Sequence, residues 1–358
     1  MNAASVVAPA RNLRGLAYLA WIATAFALLV IVFGAFVRLS NAGLSCPDWP
    51  TCYGKITWPT QAHDIASANA AFPDRPVESD KAWREQGHRI LVGGLGLFTF
   101  ALAGWAVRRR RDLGRLAWVP IGAAGLIFFQ VALGAWTVSM KLLPAVVTAH
   151  LLGGMFMFAL LGYTALRLAV PPASVNSSFS SGGENKLRNL TIVGIVLVAV
   201  QIALGGWTST NYAALACGLD FPSCLGEAWP RADFGEAFVL WRGIGVNYEG
   251  GVLDGSARIA IQLVHRIGAL VVFLHLATAI VPRGLRHAQT RPFAAFVALA
   301  LVLQIALGIA NVRLGLPLPA ATAHNGGAAL LLFALLALLV RVRKPHSAEV
   351  NAGRIAEV

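Results

Sequence analysis

Eight apolar stretches, each long enough to cross about 30 Å of hydrocarbon as a helix, leave this chain few folds other than a bundle of membrane spans. They run from Leu16 to Val37, His88 to Val107, Leu116 to Val138, Ala145 to Leu168, Leu190 to Thr208, Ile259 to Val281, Phe293 to Val312 and Ala320 to Val340. The expected fold class is therefore an all-α integral membrane protein, eight transmembrane helices arranged as two pseudo-symmetric four-helix bundles. Hydrophobic residues make up 57% of the 358, charged residues 13%, and the mean hydropathy is +0.66, which excludes a pair of ordinary soluble domains. The first stretch follows Arg11 and Arg14, is longer than a signal-peptide core and has no convincing cleavage site after it, so it reads as a retained span.

A net charge of +13 is compatible with nucleic-acid binding, but the basic residues fall in short clusters between apolar runs rather than in one stripe, and no nucleic-acid partner is expected. They mark topology instead. Arg108, Arg109, Arg110, Arg111 and Arg115, then Lys186 and Arg188, then Arg283, Arg286 and Arg291, then Arg341, Arg343 and Lys344 all lie at the same ends of the spans. By the positive-inside rule those ends and both termini are cytoplasmic, in a bacterial inner membrane with lipid around the bundle. The loops after spans 1 and 5, Ser40 to Gly87 and Ser209 to Arg258, are long, mix acids with bases and face outward. The Ser/Gly/Asn-rich stretch Ser174 to Asn185 suggests a linker. The chain divides into an N-terminal half over 1–173, a cytoplasmic linker over 174–189, a C-terminal half over 190–345 and a tail over 346–358.

The halves repeat each other. Gly34 to Cys46 after span 1 corresponds to Gly205 to Cys217 after span 5, a shift of 171 residues. The loops then read Cys46-Pro-Asp-Trp-Pro-Thr-Cys52-Tyr-Gly54 and Cys217-Gly-Leu-Asp-Phe-Pro-Ser-Cys224-Leu-Gly226, with one residue inserted in the second. His88-Arg89-Ile90 matches His265-Arg266-Ile267. Gln130-Val-Ala-Leu-Gly134 matches Gln304-Ile-Ala-Leu-Gly308, and Thr148-Ala149-His150 matches Thr322-Ala323-His324. Each half has an even number of spans, so both have the same orientation and the repeat is parallel, about an axis along the membrane normal.

The repeat sorts the eight histidines. His88, His150, His265 and His324 occupy matched positions, within about the first two turns of spans 2, 4, 6 and 8 on the outward side. A lone histidine in an apolar helix is usually a satisfied hydrogen-bonding group. Four at repeated positions point instead to axial ligands of haem iron, one pair and one haem in each half. His275 has no counterpart and is expected to pack or hydrogen-bond; His63, His287 and His346 carry no assignment. The Gln-x-Ala-Leu-Gly elements are expected to be helix-packing features.

One difference breaks the symmetry. Glu85 precedes His88 by three residues, on the same helix face, whereas Gln262 stands before His265. A carboxylate beside a haem can move protons or orient an oxygen ligand; the alternative is a solvated loop acid or one favoured at a helix start. Arg89 and Arg266 suit haem propionates at the outer interface, with snorkelling as the alternative. Cys46/Cys52 and Cys217/Cys224 form two pairs in outward loops, where an oxidising compartment favours disulfides: structural clips, or a reversible dithiol that passes electrons or holds a porphyrin.

Taken together, eight spans, Glu85-x-x-His88-Arg89, Thr148-Ala149-His150, His265-Arg266, Thr322-Ala323-His324 and the two cysteine pairs resemble the bacterial heme A synthase family over nearly the whole chain. That resemblance implies oxidation of the C8 methyl group of haem O to the formyl group of haem A by successive hydroxylations. It implies that His88 and His150 ligate the substrate haem, that His265 and His324 hold a haem b, and that Glu85 is the catalytic acid or base. It also implies a role for Cys46 and Cys52 in turnover or haem transfer, and as partners a haem O synthase and an electron-transfer protein. Two rival readings use the same residues: a di-haem electron-transfer cytochrome, which has no need of Glu85, and a thiol- or haem-handling maturation protein, which depends chiefly on the cysteines.

Overall fold

In the computed structural model, which describes residues 13–170 and 181–343, all eight expected spans are helices. They are α1 (Arg14–Leu39), α2 (Ser79–Arg108), α3 (Trp118–Ser139), α4 (Pro144–Ala169), α5 (Ser181–Thr210), α6 (Gly255–Leu285), α7 (Arg291–Arg313) and α8 (Leu318–Arg341). Proline stands in the first turn of α4, α7 and α8, where its missing N–H has no intrahelical partner to lose. Arg108, Arg167 and Arg341 lie in the last turns of α2, α4 and α8, where cations complement the helix dipole. At the start of α6 the Asp254 side chain accepts from the Ala257 amide at 2.8 Å, an N-cap.

Three helices begin four or more residues before the expected spans. α2 starts at Ser79 rather than His88, α5 at Ser181 rather than Leu190, and α6 at Gly255 rather than Ile259. Hydropathy detects the part of a helix that crosses lipid, while the polar first turns of α2 are held by ion pairs at helical spacing, Lys81 with Glu78 at 2.6 Å and Arg84 with Asp80 at 3.4 Å. His88 and His265 therefore sit in the third turns of their helices instead of the first two; His150 and His324 sit in the second turns. The expected linker over 174–189 lies partly outside the described residues, and 181–189 are helical; the expected tail lies outside them altogether. A π turn at His275–Ile280 interrupts α6, and there His275 Nε2 meets the Leu190 carbonyl at 3.0 Å, the hydrogen-bonding role expected of it.

Helix contacts close two rings. α1 packs on α2 and α4, and α3 on α2 and α4; α5 packs on α6 and α8, and α7 on α6 and α8. The rings meet through α1 and α4 against α8, and α4 against α5. α8 is the centre of the molecule: 61% of its apolar window is buried, against at most 39% in any other span. Small residues make the approach possible, since Ala20, Ala23 and Ala27 of α1 are buried beside Leu161 of α4 and Leu335 and Leu338 of α8 in one cluster.

Polar contacts tie the halves together on the outer side. Arg38 Nη2, at the end of α1, donates to the Ser209 carbonyl at the end of α5 at 2.8 Å, and its guanidinium lies 4.4 Å from the Tyr212 ring centre. Position 209 is the repeat counterpart of position 38. The loop after α5 crosses onto the first half, where Tyr248 is buried among Leu44, Leu133, Leu142, Leu143 and Val146 and donates its amide to the Lys141 carbonyl at 3.1 Å. Beside it, Arg75 bonds the Leu44 carbonyl at 2.7 Å and pairs with Glu249 at 3.3 Å.

Candidate haem site

The four repeated histidines each lie across a glycine of the neighbouring helix. A Cβ added at Gly34 of α1 would fall 2.9 Å from His88 Cε1, one at Gly205 of α5 3.2 Å from His265 Cε1, and one at Gly308 of α7 3.2 Å from His324 Cε1. At Gly134 of α3 the corresponding distance to His150 Cε1 is 3.5 Å. At Gly34, Gly205 and Gly308 the missing side chain is what makes room for the imidazole, whereas at Gly134 a methyl would be in ordinary contact with it. His88 and His150, and likewise His265 and His324, are within electrostatic reach of each other across their bundles. The Nδ1 atoms of His88, His150 and His324 are buried without a hydrogen-bond partner. Buried polar atoms are almost always satisfied, so the unpartnered Nδ1 atoms of His88 and His150, on diagonal helices of one ring, fit a pair of haem ligands in the first half, while in the second half Gln201 Nε2 lies 3.0 Å from His265 Nδ1 and Gln304 Nε2 3.3 Å from His324 Nε2.

Glu85 is neither a solvated loop acid nor a helix-start acid. It is 5% exposed and sits in the second turn of α2. Its Oε2 accepts from Ser45 Oγ at 3.0 Å and from the Cys46 amide at 2.9 Å, and its Oε1 accepts from Arg89 Nη2 at 2.5 Å. Gln262, its counterpart, is as buried, and its Oε1 has no partner. The carboxylate thus couples the first disulfide loop to the histidine helix, and the amide in the second half does not repeat that coupling.

Both cysteine pairs are disulfides, Cys46–Cys52 and Cys217–Cys224. Their loops are the same structure twice. Trp49–Pro50 and Phe221–Pro222 are cis, Tyr53 and Leu225 have positive φ, and Cys52 bridges Lys55 as Cys224 bridges Glu227. The inserted residue of the second loop is accommodated at Gly218, whose φ of 64° few other residues adopt. Asp48 accepts from the amides of Tyr53 at 2.5 Å and Gly54 at 2.8 Å and from the Thr51 hydroxyl; Asp220 accepts from the Gly226 amide at 2.8 Å. Burial works to raise the Asp48 carboxyl, but the Thr51 hydroxyl and the two amides outweigh it and hold it below its ordinary value.

Arg89 and Arg266 brace these loops. Arg89 Nη1 donates to the carbonyls of Asp48 at 2.8 Å and Thr51 at 2.7 Å, and Arg266 to those of Asp220 at 2.9 Å and Ser223 at 2.8 Å. A haem propionate would compete with these carbonyls for the same donors. The Gln-x-Ala-Leu-Gly elements, expected only to pack helices, border the imidazoles at both ends: the glycine carries a histidine ring, and the glutamine amide approaches the same histidine's helix. The signal for this lay in the pairing of Gln-x-x-x-Gly on one helix with His-x-x-Gly on the next.

A family model described as cytochrome oxidase assembly protein matches residues 17–336, from α1 into α8. The chain belongs to that family. The matched range contains all four histidines, Glu85 and both disulfides of this member of the cytochrome oxidase assembly protein family. Among curated relatives, the heme A synthase of Shewanella oneidensis is 42% identical over 90% of this chain and 95% of its own length. The heme A synthase of Paracoccus denitrificans is 29% identical over 92% and 89%, and that of Bacillus licheniformis 26% identical over 88% and 90%.

Proposed function

We propose that this chain is a heme A synthase, an oxidoreductase that converts haem O to haem A. Two hydroxylations of the porphyrin C8 methyl group, each adding the oxygen of a water molecule and releasing two electrons and two protons to the electron-transfer partner and solvent, give a geminal diol, and loss of water from it leaves the formyl group. The observation that carries this reading is the asymmetry between two otherwise repeated sites: both halves present a histidine pair, and only the first adds a buried carboxylate three residues before one of them. His88 and His150 would hold the substrate haem O, and His265 and His324 would hold a haem b. The iron of that haem supplies one-electron chemistry when bound.

The chain's own residues position and protonate. Glu85 is the group assigned to proton transfer, fixed by Ser45, Cys46 and Arg89 on the face of α2 that carries His88. Arg89 and the first disulfide keep the loop from moving away from that carboxylate. The crossing loop with Tyr248 lies over the turn between α3 and α4, next to the start of the helix that carries His150, and limits water there. We place 1–173 as the substrate half, 190–345 as the haem b half and both termini in the cytoplasm, with a haem O synthase and an electron-transfer protein as partners.

The test is co-expression with a source of haem O followed by chromatography of extracted haems, wild type against Glu85→Ala. Haem A or its hydroxylated precursor from wild type alone is the expected result. A folded wild type that yields no C8-oxidised haem would overturn the assignment, and haem b alone would leave a di-haem electron carrier.

A further inference from the structure

The sequence assigns haem propionates to Arg89 and Arg266, but the disulfide loops take the donors of both. A haem between His88 and His150 therefore needs another partner for its carboxylates, and Arg38 stands where one belongs. Val30, Gly34 and Arg38 follow at four-residue spacing along one face of α1. Gly34 is the residue against which the His88 ring lies. Arg38 is one turn, about 6 Å, further toward the end of the helix that leads into the first disulfide loop.

Its guanidinium is only partly used. Nη2 donates to the Ser209 carbonyl at 2.8 Å, the service a cation gives at the end of a helix such as α5. Nε is buried without a partner, and among the described residues no acid pairs with Arg38. The Tyr212 ring centre lies 4.4 Å from the guanidinium carbon, and the Tyr212 hydroxyl is likewise buried without a partner. Two hydrogen-bonding groups and a positive charge thus meet with no anion between them, which burial makes costly. Tyr212 is held there against its own preference. α1 and α5 end in the same turn, closed by Ala42 N to Val37 O at 3.0 Å and by Ala213 N to Thr208 O at 2.9 Å. The left-handed residue of that turn is Asn41 in the first half, with φ 51°, and Tyr212 in the second, with φ 54°. Asparagine adopts this backbone readily and a bulky residue does not, and such exceptions gather at ligand sites. Gly251 gives the ring its room, since a Cβ there would fall 3.1 Å from Tyr212 Cδ2.

We propose that Arg38 and Tyr212 form a seat for a propionate of the haem held by His88 and His150, the arginine coming from the first half and the tyrosine from the loop of the second. This rests on the reading of those two histidines as haem ligands. A carboxylate there accepts from the arginine Nε and from the tyrosine hydroxyl, and it supplies the counter-charge that the guanidinium lacks. The repeat does not build the seat twice, because Ser209 stands at the position of Arg38 and Asn41 at that of Tyr212. A porphyrin whose carboxylates are capped gains nothing from either residue.

The experiment titrates the purified full-length chain, prepared from cells that make no haem O, with haem O and with its dimethyl ester, in which both propionates are capped. Binding is read from Soret absorbance. Arg38→Met is expected to weaken haem O binding by about 10-fold to 100-fold, the usual span for a hydrogen bond to a charged group, and to leave the ester unaffected. Tyr212→Phe keeps the ring against the guanidinium and removes only the hydroxyl, so it is expected to weaken haem O by a smaller factor, again without effect on the ester. Helical circular dichroism and its melting curve identify a variant that fails to fold, and Tyr212→Phe carries the test if Arg38→Met is one. Equal weakening of haem O and ester in folded variants would overturn the proposal and leave Arg38 as a tie between the halves, and so would no weakening of either. An Arg38→Met effect that persists in a chain carrying His88→Ala and His150→Ala would overturn the placement at the first-half haem. Haem O binding unchanged by those two histidine substitutions alone would overturn the ligand reading and this inference with it.

Discussion

The Glu85 carboxylate accepts the Cys46 amide at 2.9 Å, so the one acid beside a repeated histidine is also the anchor of the first disulfide loop. Glu85→Gln keeps an oxygen for that amide and loses the charge that Arg89 pairs with, and it is expected to abolish C8 oxidation while haem binding persists. Glu85→Ala leaves Arg89 and the Cys46 amide without their buried partner, a loss of about 3–5 kcal/mol, and is expected to lower the melting temperature as well. Gln262→Ala breaks no recorded bond at its Oε1 and is expected to leave haem A production near wild type. Extracted-haem chromatography with thermal melts separates the three.

The disulfides are expected to differ in consequence although their loops match. Each closes a short ring, with sequence separations of 6 and 7, so removing either costs stability toward the low end of about 2–4 kcal/mol. Only Cys46 donates to an acid on a histidine helix. Cys46→Ser with Cys52→Ser is expected to reduce haem A yield several-fold more than Cys217→Ser with Cys224→Ser, at similar melting temperatures, and equal yields would sink the coupling.

Gly34→Ala is expected to displace His88, because the new methyl carbon would lie 2.9 Å from the ring. The predicted result is loss of haem from the first half, read as a drop of about half in Soret absorbance per protein if each half binds one haem. Gly93→Ala meets nothing within 4 Å and serves as the neutral control on the same pair of helices.

Acid is expected to loosen the first disulfide loop. Hydrogen bonds from Thr51, Tyr53 and Gly54 hold the Asp48 carboxyl below its ordinary value of 3.8. A group depressed on folding stabilises the fold above its unfolded value and loses that contribution as pH falls through the folded one. Protection of the Tyr53 and Gly54 amides in hydrogen exchange should therefore be full at about pH 5 and decline below 3.8, and Asp48→Asn should remove the dependence.

Much of this was legible in the sequence for physical reasons that also define what was not. Spans are readable because lipid demands about 20 apolar residues in a row, and the four matched histidines because the chain states their motif twice. The polar starts of α2 and α5 were missed because no apolar run marks a helix above the lipid. The Glu85 contacts to Ser45 and Cys46 join residues 40 and 39 apart, and the burial of Tyr248 by the first half is longer in range still; no local pattern encodes either. The glutamines were visible as part of a motif, but their meaning needed the helix they face.

The contact of Arg38 with the Ser209 carbonyl carries a consequence for ancestry. Joining a residue to its own repeat counterpart is what a two-fold axis does, and a dimer of identical four-helix chains would make such a contact twice, once from each copy. Here serine at 209 lets it be made once. In a single chain the two copies of such a position need not be identical, and the halves use that freedom where Glu85 in one stands against Gln262 in the other.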